Sequence, residues 1–220
     1  MGRMGAELSL TEDTFRALAR SSPWRFSALH FTWRRPTDGD VECWLRRPGR
    51  LRVRDAGSDR AVDEKVTDPV PEPVLRADGL VASRPRAYTH EIDDPMWQNY
   101  VFVSMLDPEE LSADVVLSDL RSEPRAGRET WWARAVPGEG YEPRCGCCPL
   151  LWSRVSDWFE YGDGAPGWEP PAGTVYPEAY DIGLDVATGI VVQLTPVGGS
   201  RPDLAFETTI HEAEMSVASA

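Results

Sequence analysis

Cys145-Gly146-Cys147-Cys148 is the densest group of chemically capable side chains in this 220-residue sequence. Thiolates bind soft cations and exchange disulfides. Three sulfurs, with Cys43, His90 or His211 as a fourth donor, make up a set that a zinc ion accepts. Against this, the run lacks a second Cys-x-x-Cys, and neighbouring Cys147 and Cys148 do not easily reach one ion. A redox use most simply pairs Cys145 with Cys148. Loop thiols without a role remain the plainest reading, and in an intracellular setting thiols stay reduced by default.

Tryptophan is the second unusual feature, at nine residues against six Phe and six Tyr. Aromatic concavities with few polar groups hold apolar ligands. The candidate ligand-binding set is Trp33, Trp44, Trp97, Trp131, Trp132 and Trp152. The expected cavity lies between a sheet and the connections 84–106 and 145–177. The competing reading is that Trp fills the core of a wide sheet, each indole bonded locally. His30, His90 and His211 are far apart and fit no metal or nucleophile pattern. Asp93-Asp94 and Glu109-Glu110 read as solvated or dipole-paired acids. No glycine-rich phosphate loop occurs, so no catalytic residue and no cofactor is assigned.

Composition narrows the partners. The net charge of −13 argues against duplex nucleic acid and anionic membranes. The charge is uneven: residues 1–60 carry 12 Arg against 8 acids, and the remainder 11 basic against 28 acidic residues. No apolar run matches a signal-peptide core or a membrane span, which gives the expectation of a cytoplasmic protein. The length suits a single sheet-rich domain over 1–220, frayed at 1–9 and 216–220.

The elements that must position these residues follow from periodicity. Thr11 can cap a short helix over 10–20, with Phe15, Leu18 and Ala19 at helical spacing. Leu29, Phe31 and Trp33, then Val41, Cys43 and Leu45, then Leu51 and Val53 alternate along three antiparallel strands, and one more strand is expected around Lys65. A short strand is expected over 75–81, and a helix just before or after Asp107-Pro108. A hairpin follows over 115–136, with Trp131 and Trp132 on opposite faces. The Gly/Pro-rich connection 137–177 is too aromatic for disorder and should carry a short helix near 150–159. Tyr180 to Thr195 forms a hairpin around Ala187-Thr188-Gly189, and Leu204, Phe206, Thr208 and Ile210 line a last strand.

Three of these segments carry a resemblance. Val41-Glu42-Cys43-Trp44-Leu45-Arg46-Arg47-Pro48-Gly49-Arg50-Leu51-Arg52-Val53, Gly127-Arg128-Glu129-Thr130-Trp131-Trp132 and Asp185-Val186-Ala187-Thr188-Gly189, in that order after an N-terminal helix, resemble the LolA/LppX/RseB superfamily of lipoprotein carriers and sensors. The resemblance implies a mainly β (α+β) fold: a strongly curved antiparallel half-barrel with helices over its concave face. It also implies a non-enzymatic binding role, with a lipid, another apolar small molecule or a partner polypeptide on that face.

Overall fold

Period-2 patterning becomes one wide sheet. In this computed structural model, residues 8–37, 39–63, 70–162 and 167–216 are described. The short helices α1 (Glu12–Ala19) and α2 (Ser22–Arg25) lead into the meander β1 (Phe26–Arg35), β2 (Gly39–Arg46), β3 (Arg50–Arg54) and β4 (Asp59–Asp63). A small hairpin, β5 (Val74–Leu75) and β6 (Val81–Ser83), precedes α3 (Tyr100–Leu106). Then come β7 (Val115–Ser122), β8 (Thr130–Pro137), α4 (Arg154–Tyr161), β9 (Ala179–Asp185), β10 (Val191–Val197) and β11 (Phe206–Met215). Nine strands pair antiparallel in the order β4-β3-β2-β1-β11-β10-β9-β8-β7. The last strand therefore joins the meander to the C-terminal hairpins, and β4 and β7 are left as open edges. No helix among the described residues is long and apolar enough to cross a membrane.

Register places the expected apolar positions on one face. Val53, Cys43, Phe31 and Ile210 lie in one cross-strand row, and Ala133, Ile182, Leu194 and Phe206 in another. The sheet curls around the elements that cover this face, because residues near both edges, Val53 and Val115, share one buried cluster with Phe15, Leu18, Phe102 and Met105. Phe102 of α3 stands edge-on to Trp33, with ring centres 5.4 Å apart. Across the sheet, Arg16 of α1 donates to the Val115 carbonyl at 2.5 Å. Thr11 caps α1 in a reciprocal pair with Thr14, as its sequence implies.

Two segments that carried the resemblance meet physically. Asp185, 1% exposed, accepts from Arg128 at 2.7 and 3.0 Å and from the Thr188 amide and hydroxyl at 2.8 and 2.7 Å. Gly189 has φ +77°, and a Cβ there would stand 2.9 Å from the Leu18 carbonyl. The hairpin turn thus closes against the end of α1, and only glycine fits it.

Some elements differ from expectation. The strand over 75–81 is instead the β5–β6 hairpin, since Asp78-Gly79 makes a turn with Arg76 N–H bonded to the Leu80 carbonyl at 2.8 Å. The helix near Asp107 lies before it, and a single 3-10 turn (Glu109–Leu111) follows. The Asp107 side chain is engaged by arginines and caps nothing. The helix expected at 150–159 starts at Arg154, where Ser153 and Ser156 form a capping box. The strand expected at Lys65 falls outside the described residues, and β4 occupies 59–63.

Candidate functional site: an acid-lined cleft between two connections

The connections 84–106 and 137–177 are joined by buried ion pairs. Asp107, whose side chain is 3% exposed, pairs with Arg84 and with Arg144, the latter at 2.7 Å. Arg144 also pairs with Asp93, and Arg47 clamps Asp94 at 2.6 Å while donating to the Ser22 carbonyl at 2.6 Å. Asp93-Asp94 is thus a pair of buried anchors and not a solvated loop. Glu110 is buried as well. It accepts from Ser104 at 2.6 Å, from the Leu150 amide at 3.2 Å and from the Tyr141 hydroxyl. These are the residues that sequence reasoning missed.

Burial sets the charge states. Burial alone would raise the Asp107 carboxyl, but Arg84 and Arg144 outweigh it and hold the group below its ordinary range. Asp93 goes the other way. Burial dominates the opposing Arg144 and pushes it up to about 6, and its Oδ2 has no hydrogen-bond partner among the described residues. A raised folded pKa stabilises most below the unfolded value near 3.8, and that contribution is lost as pH rises through about 6. Relative to Asp93→Asn, the wild type is expected to lose roughly 2–3 kcal/mol of stability between pH 4 and pH 7. Urea unfolding of both proteins across that range checks it, and parallel pH profiles would refute it.

This framework walls a cleft of about 480 Å³. Tyr88 and His90 line it from the first connection, Glu109 and Asp114 from the segment after α3, and Glu142 and Arg144 from the second. Asp114 and Glu142 are exposed and enter no ion pair among the described residues. Asp114 has φ +51°, and a Cβ on Gly140 would approach its carboxylate to 2.9 Å. Backbone geometry and a glycine therefore fix this acid on the rim. Arg84 and Arg144 are already engaged by acids, so the cleft presents a net negative lining.

None of the six tryptophans lines this cleft. Trp33 and Trp131 face inward and are 1% exposed. Trp44 and Trp132 project from the opposite face. Trp44 stacks on His30 at 4.9 Å under Arg52 and Arg54, and Trp132 donates to the Glu123 carbonyl at 3.0 Å. Trp97 lies under Arg60 near β4, and Trp152 bonds Asp157 at 2.8 Å beside Tyr176. The six tryptophans of the expected cavity are thus spread over both faces of the sheet and the connections. The cleft is instead lined by polar side chains from 88–90, 109–114 and 140–144, none of them from 145–177. A more apolar groove of about 430 Å³ lies elsewhere, along Pro23, Trp24, Leu75 and Val81.

The cysteines divide. Cys43 is buried in the inner face, where burial pushes its thiol up, and it lies apart from the others. Cys145, Cys147 and Cys148 converge, with Sγ separations of 3.2, 3.3 and 3.6 Å, and all are free thiols.

No family model matches the chain, and no curated protein matches it. Among solved structures the chain is similar to the crystal structure of MucB, with a TM-score of 0.36 and 14% identity. That match covers 94% of this chain and 58% of the MucB chain, so this chain spans little more than half of that length. The observed order of elements, a capped helix, a meander, a helix-covered inner face and C-terminal hairpins, is the order that the LolA/LppX/RseB resemblance implies.

Proposed function

We propose that the chain is a binding protein that takes a partner polypeptide through basic side chains seated in the acid-lined cleft. The observation that carries this is a preformed cleft of about 480 Å³ with acids on two separate rims, Asp114 and Glu142, that enter no ion pair among the described residues. Opposite charge steers such an encounter and fixes its register. The chain's net charge of −13 acts in the same sense. A lipid on the concave face would first have to displace Phe15, Phe102, Leu150 and Leu151, all at most 2% exposed. That is why the polypeptide is favoured over the apolar ligand.

A fluorescent hexa-arginine peptide tests the proposal. Its affinity is expected to fall about 5–30-fold in Asp114→Asn/Glu142→Gln, since exposed charge pairs contribute ~0.5–1 kcal/mol each. Wild-type binding should also weaken steeply with salt. The charge-matched control Glu178→Gln/Glu212→Gln should bind like wild type. Equal loss in both variants would reduce the effect to net charge and sink the proposal. Retention of a lipid-sized mass by gently purified protein would do the same and would direct attention to the Trp24–Leu75 groove.

A further inference from the structure

Cys145, Cys147 and Cys148 come from a four-residue run in which two cysteines are neighbours, a spacing that does not by itself promise one binding site. Folding resolves the difficulty. The three sulfurs form a nearly equilateral triangle with edges of 3.2, 3.3 and 3.6 Å, close enough together to ligate one ion. Three sulfurs around a tetrahedral zinc ion at ~2.3 Å lie ~3.8 Å apart, so each edge needs to open by only ~0.2–0.6 Å. An ion at that distance from the present triangle sits ~1.2 Å above its plane. Cys147 is exposed and Cys145 and Cys148 half-buried, which leaves one side of the triangle open for entry and for a fourth donor.

The surroundings hold this shape. A Cβ on Gly146 would stand 2.6 Å from the Glu160 carboxylate and 2.7 Å from its Cβ, so the tight turn packs directly on α4 and needs glycine. The Tyr100 backbone amide donates to the Cys148 sulfur, which ties the run to the start of α3. Pro149, Leu150 and Leu151 follow at once into the buried layer. The triangle therefore sits where the second connection meets both covering helices.

We infer that Cys145, Cys147 and Cys148 form a binding site for a thiophilic cation, Zn2+ in the first instance, that clasps the second connection to α3 and α4. On binding, each sulfur gives up its proton to solvent and forms one bond to the ion, so three protons leave for each divalent cation taken up. The fourth position belongs to water. Nothing in this site depends on the acid-lined cleft, and either can stand without the other.

The test uses untagged full-length protein, first as purified and then stripped with chelator and titrated with ZnCl2 under reductant. One zinc per chain is expected by elemental analysis and native mass spectrometry, with a rise in melting temperature on addition of Zn2+. Co2+ should give thiolate charge-transfer absorption. Cys148→Ser should lower zinc affinity at least ~100-fold. Exposed Cys147→Ser serves as the variant certain to fold, and it should lose both the Co2+ absorption and the thermal shift while keeping the apo circular dichroism spectrum. Two results overturn the inference: failure of the stripped, reduced wild type to take up stoichiometric Zn2+, or uptake that Cys147→Ser and Cys148→Ser leave unchanged. A two-proton mass deficit without metal in the purified protein would also overturn it and would assign the run to a Cys145–Cys148 disulfide.

Discussion

An Asp107→Ala variant is expected to lose about 3–5 kcal/mol of stability, a large part of what holds a domain of this size folded. The reason is the asymmetry of buried charge. Asp107 is 3% exposed and neutralises two guanidinium groups, Arg84 and Arg144, which are themselves 7% and 11% exposed. Removing the carboxylate leaves both largely buried cations without their shared partner. Arg84 keeps Glu109, and Arg144 keeps Asp93, so the loss stays finite. With a urea m-value of ~2–3 kcal/mol/M, the unfolding midpoint falls by more than ~1 M. Asp107→Asn keeps the shape but not the charge and should recover little. A midpoint unchanged within error would show that the two connections do not depend on this pair, and the rigidity assigned to the cleft would go with it.

Trp33→Ala carries the second large effect, ~3–5 kcal/mol, as expected for an aromatic removed from a packed interior. Trp33 is 1% exposed, stands edge-on to Phe102 and lies 6.2 Å from the Phe206 ring. Its indole Nε1 has no hydrogen-bond partner among the described residues, so Trp33→Phe removes a donor that is bonded to nothing and should cost no more than ~2 kcal/mol. The pair of variants separates two views of the inner face. A solid core gives a large alanine penalty and a small phenylalanine one. A face that opens to hold a ligand gives a small penalty in both, because the site already has free volume.

The fold was legible where local pattern decides it. Leu29-Phe31-Trp33, Val41-Cys43-Leu45 and Ile182-Leu184 alternate because one side of each strand meets the core, and the structure keeps those registers. Thr11 and Ser153 mark helix starts by side-chain chemistry that acts within one turn. The cleft was not legible. Asp107 finds Arg84 23 residues away and Arg144 37 residues away, and no local signal links them. Asp93-Asp94 looks like any acidic loop until Arg144 and Arg47 arrive from distant segments. The tryptophans teach a different lesson. Alternation already placed Trp131 and Trp132 on opposite faces, so one cavity could never have held both. The cysteine run was conspicuous in the sequence, but the inward turn of three sulfurs depends on α3 and α4 packing against it.

Where a basic polypeptide binds is best read by hydrogen exchange with and without saturating hexa-arginine. The expected result is added protection confined to residues 88–90, 109–114 and 138–144, which surround the cleft, and its loss in Asp114→Asn/Glu142→Gln. Protection on the outer face around His30 and Trp44, or along the Trp24–Leu75 groove with the cleft unchanged, would contradict the assignment of this cleft as the binding site.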